Sequence, residues 1–278
     1  PYVRTEDVVS LLQDERVKAV NMISTNIMYA GNFETVPLNN QAEQNSGNNI
    51  ITYDDGTTDV YVEPNVRLQT NHFPNMIELE DGTYEVTQGR FYTQQEVDEG
   101  TPVCLITEDL ASLNNLRVGD VIELNLMNPS EIARYYPDSG VTEEDIRMSL
   151  EIIGIFRNNE QLDENSDQFQ WMSRYESPKN VILAPTMTYA NAYYDFSVKQ
   201  FNYYAQQYPD AYQDTDAPKI EDFLTTNQAV FLLNDPLEVD QFVEDHQDSL
   251  KEFMIMDANN ETFKQLARPL DTLSLFSN

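Results

Sequence analysis

Histidine and cysteine are nearly missing from this 278-residue chain, which has two His and one Cys. A single thiol cannot form an internal disulfide. Cys104 lies in the apolar run Pro102-Val-Cys-Leu-Ile-Thr107 and reads as a buried, inert strand residue rather than a reactive thiol. His72 and His246 are far apart and neither has a second ligand four residues on, which argues against zinc. Positive charge is equally scarce, with 16 Lys+Arg against 48 Asp+Glu and a net charge of −32. A phosphate polymer would be repelled at long range, so nucleic acid is excluded as a partner, and anionic membrane surfaces are disfavoured for the same reason. No stretch approaches the roughly 18 to 20 apolar residues of a membrane span. Neither a basic head with an apolar signal core, nor a Gly-x-Ser-x-Gly elbow, nor a Gly-rich phosphate loop ending in Lys-Ser or Lys-Thr occurs.

Hydrophobic residues make up 40% and aromatics 11%, enough to offset ordering entropy, so the chain is expected to fold without staples. Thr5-Glu6-Asp7 ahead of Val8, Leu11 and Leu12 predicts a helix over about 5 to 15. Alternation from Val17 to Ala30 predicts a long strand, and the polar run Asn39 to Asn49 a mobile surface loop. Hairpins are expected over Ile50 to Glu63 and Met76 to Thr87, around Asp-Gly turns. Thr93-Gln-Gln-Glu96 is a capping box. Strands at Val103–Ile106, Val121–Leu126, Leu150–Phe156 and Asn180–Ala184 are expected to form a small sheet, with a short helix from Thr107 and a long one from Thr186 to Tyr208. The last third reads strand (Ala229–Leu233), helix opened by Pro236, strand (Phe253–Met256) and helix (Thr262–Phe276, kinked at Pro269). Strand and helix alternation at both ends around a strand-rich middle predicts an α+β fold with one subdomain inserted in another.

Five segments carry a family resemblance. They are Val86-Thr-Gln-Gly89-Arg90-Phe91-Tyr92 with the helix after it, Pro102 to Ala111, Leu116-Arg-Val-Gly119-Asp120-Val-Ile, Leu150-Glu-Ile-Ile-Gly154-Ile-Phe156, and Asn180-Val-Ile-Leu-Ala-Pro185. In this order they resemble the periplasmic core domain of MacB-like, FtsX-type ABC transporter permeases. The resemblance implies a porter-like α/β subdomain from residues 1-99 and 220-278, with stalk helices at both ends, and an inserted mixed α/β, sabre-like subdomain from 100-219. It also implies an extracellular, non-catalytic domain without cofactors that relays ATP-driven motion of membrane helices to substrate export or signalling. Its partners would be its own membrane helices, a cytoplasmic ATPase and a second permease copy, at the cell surface of a single-membrane bacterium. The start at Pro1 and the apolar stretch up to Asn278 fit a domain cut from between two such helices. A free-standing surface or secreted ligand-binding protein is the alternative.

Gly89, Arg90, Gly119 and Gly154 read as structural residues. The glycines suit tight turns or a close backbone approach, and Arg90 suits an acid pair, although a solvated charge is the other reading. Asp163-Glu-Asn165-Ser-Asp167 has spacing that can aim oxygens at calcium, but Gln168 replaces the turn glycine and Arg174 the closing acid, so a solvated loop is the reading preferred. Between Tyr189 and Tyr212 lie seven tyrosines, with Phe196 and Phe201. They suit a core face, or else contact with a partner or substrate through Tyr193, Tyr194, Tyr203 and Tyr204.

Overall fold

Fourteen residues of alternating pattern make β1 (Val17–Ala30), the strand on which the chain is assembled. The computed structural model describes residues 11–247 apart from 47–49, 53–55, 57, 61, 138 and 225–227. In chain order β1 is followed by α1 (Gln41–Ser46), β2 (Ile50–Thr52), β3 (Thr58–Val60), β4 (Val66–Asn71), α2 (Ile77–Glu80), β5 (Tyr84–Gly89) and α3 (Gln94–Glu99). Next come β6 (Val103–Thr107), α4 (Glu108–Asn114), β7 (Val121–Asn125), α5 (Ile132–Tyr135), β8 (Arg147–Asn158) and α6 (Asp167–Gln170). The series ends with β9 (Val181–Pro185), α7 (Thr186–Gln207), α8 (Pro209–Tyr212), β10 (Gln228–Leu233) and α9 (Val239–Asp245). The fold is α+β. The helix expected over 5 to 15 is described only from Leu11, and the strand and helix expected beyond residue 250 lie outside the described residues.

β10, β1, β4, β9, β6, β8 and β5 neighbour one another in that order, and β7 bridges β1 and β8. The bridge closes β1, β4, β9, β6, β8 and β7 into a six-stranded ring, from which β10 and β5 project. Closure rests on a short junction, Tyr29 opposite Asn125 and Ala30 opposite Leu124. Beyond it the Gly31 N–H donates to the Glu123 carbonyl at 2.8 Å. The Asn32 side chain extends the ladder by accepting from the Glu123 N–H, also at 2.8 Å.

The period of two along each strand sorts side chains to the two faces of this ring. Met28, Val66, Leu68, Cys104, Ile106, Ile122, Leu124, Met148, Leu150, Ile152, Ile182 and Ala184 come from all six ring strands and form one cluster, which therefore fills the interior. Leu110 and Ala111 of α4 join it. Intervening positions, among them Val103, Leu105, Val181 and Leu183, face outward into a second cluster with Met76, Tyr84, Tyr92 and Val97. Cys104 is fully buried, and burial pushes its thiol pKa far up, so it is an inert core residue.

Three expectations need correction. Residues 77–80 are not a strand but a helical turn, in which the Asp81 N–H donates to the Ile77 carbonyl at 2.9 Å and the buried Met76 anchors the entry. The polar run after Asn39 is helical at 41–46 and is tied down by hydrogen bonds rather than apolar contacts. Asn40 is 1% exposed, and its amide donates to the Phe169 and Met172 carbonyls at 2.7 and 2.9 Å. Arg174 donates to Glu43 at 2.6 Å. Lastly, the central strands do not make a small sheet of their own. They share the eight-stranded sheet with β1, β4 and β10. The join is β4, which runs parallel to β9. Its sequence, Val-Arg-Leu-Gln-Thr-Asn, hides it, because Gln69, Thr70 and Asn71 are buried although polar.

Gly89 and Gly154 face each other where β5 meets β8. A Cβ on Gly89 would come within 2.2 Å of the Ile153 carbonyl, and one on Gly154 within 2.4 Å of the Arg90 carbonyl, so the two backbones are too close for any side chain. A bulge lies at the same place, since Cys104 pairs with Ile152 and Leu105 with Gly154. It shifts which residues of β8 point inward. Gly119, with φ +96°, needs glycine only for its backbone angle, because nothing lies within 4 Å of its Cβ position. Gly119→Ala is expected to cost about 1 to 2 kcal/mol, and Gly154→Ala about 3 kcal/mol or more through backbone overlap. Urea unfolding of the two variants checks the order.

Candidate functional site

Two places in the fold are candidates: the outer ends of the first and last described strands, and the tyrosine-rich face of α7. The first follows from strand direction. β1 and β10 are antiparallel, with Val17 opposite Leu233, so the chain enters the sheet beside the point where it leaves it. Asn234 seals the pairing, its N–H donating to the Arg16 carbonyl at 2.8 Å and its amide to the Glu15 carbonyl at 3.0 Å. Pro236 then opens a 3₁₀ turn capped by Asp235, and α9 runs back over the entry segment.

Asp14 is the hub of this junction. Arg16 grips its carboxylate twice, Nε to Oδ1 at 2.9 Å and Nη2 to Oδ2 at 2.6 Å, and reaches Asp245 through Nη1 at 2.9 Å. His246 Nε2 lies 2.8 Å from Asp14 Oδ2. The Arg16 guanidinium also sits 5.2 Å from the Phe242 ring centroid, and Phe242 packs against His246 at 4.7 Å. Hydrogen bonds from Arg16, then from His246, hold the Asp14 carboxyl well below the usual carboxylate range. Beneath the polar layer Leu11, Val20, Met22, Leu233 and Phe242 form a cluster of their own. Residues 11–16 from one end of the chain and 242–246 from the other are thus joined by polar and apolar contacts together. The sequence does not point to Asp14, Arg16 or Asp245, and it raises His246 only as a zinc ligand to be rejected. The one signal is position: Arg16 stands just before β1, and His246 ends the helix that follows β10.

Arg90 is an ion-pair residue. Its Nη1 and Nη2 donate to the two carboxylate oxygens of Glu96, each at 2.7 Å. Glu96 also accepts from the Thr93 N–H at 2.7 Å, so one carboxylate closes the capping box of α3 and fixes the β5 exit.

α7 carries the tyrosines. Tyr193 packs against Phe196, Tyr189 and Phe223, and Tyr194 reaches the same Phe223 ring at 6.3 Å. Tyr203 donates to the Pro137 carbonyl at 2.7 Å and Tyr204 to the Tyr135 carbonyl at 3.2 Å. All four are half-buried, so the helix has no wholly exposed aromatic side at these positions. Tyr193 and Tyr194 serve packing near Phe223, while Tyr203 and Tyr204 bind the 129–143 segment. In the suggested calcium loop, Asp163 Oδ1 accepts from the Asn165 N–H at 3.0 Å and Ser166 caps α6. Among the described residues no three His, Cys, Asp or Glu side chains converge as metal ligands.

The Arg90 pair sets a pH signature. Hydrogen bonding to Arg90 lowers the Glu96 pKa from 4.5 to about 2, so this contribution is complete above the unfolded value and is lost as pH falls from 4.5 through about 2. Glu96→Gln is expected to cost about 1 kcal/mol at neutral pH. In urea titrations the gap between variant and parent narrows on acidification from pH 4.5 to 2 and is constant above pH 5.5.

Comparison with known proteins places the chain. The MacB-like periplasmic core domain family matches residues 7–246. An uncharacterized ABC transporter permease, YclI of Bacillus subtilis, is 24% identical over 203 residues, which is 72% of this chain and 32% of YclI. The chain thus spans about a third of that relative's length. Among solved structures, the extracellular domain of the noncanonic ABC-type transporter YknZ from Gram-positive bacteria aligns with a TM-score of 0.45 and 11% identity, over 92% of this chain and 87% of that one. The periplasmic region of MacB from Actinobacillus actinomycetemcomitans aligns at 0.46 and 12%, over 96% and 83%. With its match running from residue 7 to residue 246, the chain belongs to the MacB-like periplasmic core domain family.

Proposed function

We propose that this chain is the extracellular domain of an ABC transporter permease and acts without catalysis, as a lever. The observation that carries the proposal is the junction: residues 11–16 and 234–246, at the outer ends of the first and last described strands, lie side by side and are held by Asp14, Arg16, Asp245 and His246. Two membrane helices outside this chain, one attached at each end, would deliver their motion to the domain at a single place. A cytoplasmic ATPase would drive that motion, and a second permease copy would complete the transporter at the surface of a single-membrane cell.

The division into a porter-like part (1-99 and 220-278) and a sabre-like insert (100-219) belongs to the same proposal. β4 of the first part is hydrogen-bonded to β9 of the second along five residue pairs, which supports motion of the two parts as one body. Tyr203 and Tyr204 would contribute to a partner or substrate surface on the insert. Tyr193 and Tyr194 would support it from the neighbouring turns of α7.

Loosening the junction separates the lever from its drive. In the intact transporter, Asp14→Asn with Arg16→Ala is expected to lower transport severalfold while ATP hydrolysis continues and the isolated domain stays folded by circular dichroism. Transport at the parental rate with both substitutions would contradict the relay.

A further inference from the structure

We infer that a cleft on the 129–143 segment binds a cationic peptide segment carrying aliphatic side chains; this deepens the reading of Tyr203 and Tyr204 as partner contacts and does not depend on the relay. The cleft is open and has a volume of about 520 Å³, with Pro129, Ile132, Tyr136, Pro137, Val141 and Glu143 on its walls. Its floor is firm, since Ile132 and Val141 are buried in a cluster with Ile146 and Phe196. An open trough suits a chain laid across it, with one aliphatic side chain seated on the two prolines and Val141, better than an enclosed small molecule.

Three features of the rim select positive charge. Glu143 is 66% exposed and Glu144 82%. Both lean on Arg147, at 3.9 and 3.1 Å, and Arg147 is shared with Glu123 at 3.4 Å. Three carboxylates share this one guanidinium, and of the three Glu143 lines the cleft. Of the two neighbouring cations, Lys199 is committed to Asp145 at 2.6 Å and Arg134 sits at the Tyr135 ring. Aromatic rings continue outward from the cleft, since Tyr136 of its wall packs against Tyr204 at 6.4 Å. Tyr135 is 52% exposed and Tyr208 59%, and Tyr204 stacks with both Tyr208 and Tyr212. The Arg134 guanidinium already lies 5.6 Å from the Tyr135 ring centroid, so a ring on this rim accepts a cation over its face. A lysine or arginine of a peptide would find carboxylates and tyrosine faces together, and the charge of −32 would draw it in.

The test uses this chain and a fluorescein-labelled peptide alternating lysine with leucine, followed by anisotropy. Binding is expected at low salt, with hydrogen-exchange protection appearing at residues 132–143. Glu143→Gln with Glu144→Gln should weaken it roughly fivefold, the scale of two exposed ion pairs. Tyr208→Ala, a change at an exposed ring, should weaken it too, while Glu160→Gln with Glu164→Gln, equally exposed acids elsewhere, should leave it unchanged. Three results would overturn the inference: no binding of the lysine peptide; equal loss in the Glu160 and Glu164 double variant, which would reduce the effect to overall charge; or competition by a neutral glycan or a glutamate–leucine peptide as strong as by the lysine peptide. Failure here with transport still sensitive to the junction variants would leave the lever standing without this cleft.

Discussion

β1 is one uninterrupted strand that makes three pairings in succession, and the rest of the architecture depends on it. Its first half lies against β10, its second against β4, and its last two residues against β7. The β10 pairing brings residues 11–16 and 234–246 together, the β4 pairing joins β1 and β10 to the central strands, and the β7 pairing closes the ring. A one-residue slip along β1 would turn Met22 and Met28, both fully buried, out of their clusters, so the register is held by burial as well as by the ladder.

The inside of the ring is filled by buried aliphatic side chains from all six strands. Chemistry is absent from the described surface in the form of converging metal ligands. What the described residues show is a continuous sheet in which residues 11–16 and 234–246 are fastened together at one point. The strong acidity belongs to the surface, where Arg16, Arg90, Arg147, Arg157, Arg174 and Lys199 are each paired with carboxylates.

Much of this was legible in the sequence where local rules decide. β1 was readable to the residue from its alternation, the capping box from Thr93 and Glu96, and the tight place at Gly154 from a glycine inside an apolar run. The failures share one cause, which is polar side chains doing what apolar ones usually do. β4 is buried through Gln69, Thr70 and Asn71, and the segment after Asn39 is fixed by the Asn40 amide on two carbonyls. Asn180 similarly clasps Val36 through both its amide groups, at 2.7 and 2.9 Å. Composition cannot distinguish such residues from those of a solvated loop. The Asp14 junction escaped for another reason: its members are 229 and 232 positions apart, and only the β1–β10 pairing brings them together.

The central claim is that residues 11–16 and 234–247 move as one piece. Spin labels at Gln13 and Gln247, both exposed and on either side of the junction, report it directly in the intact transporter. The distance between them, measured by pulsed electron resonance with and without ATP turnover, should stay constant while distances from either label to the membrane-embedded part change. Separation of the two labels during turnover, with the domain itself remaining still, would contradict the account.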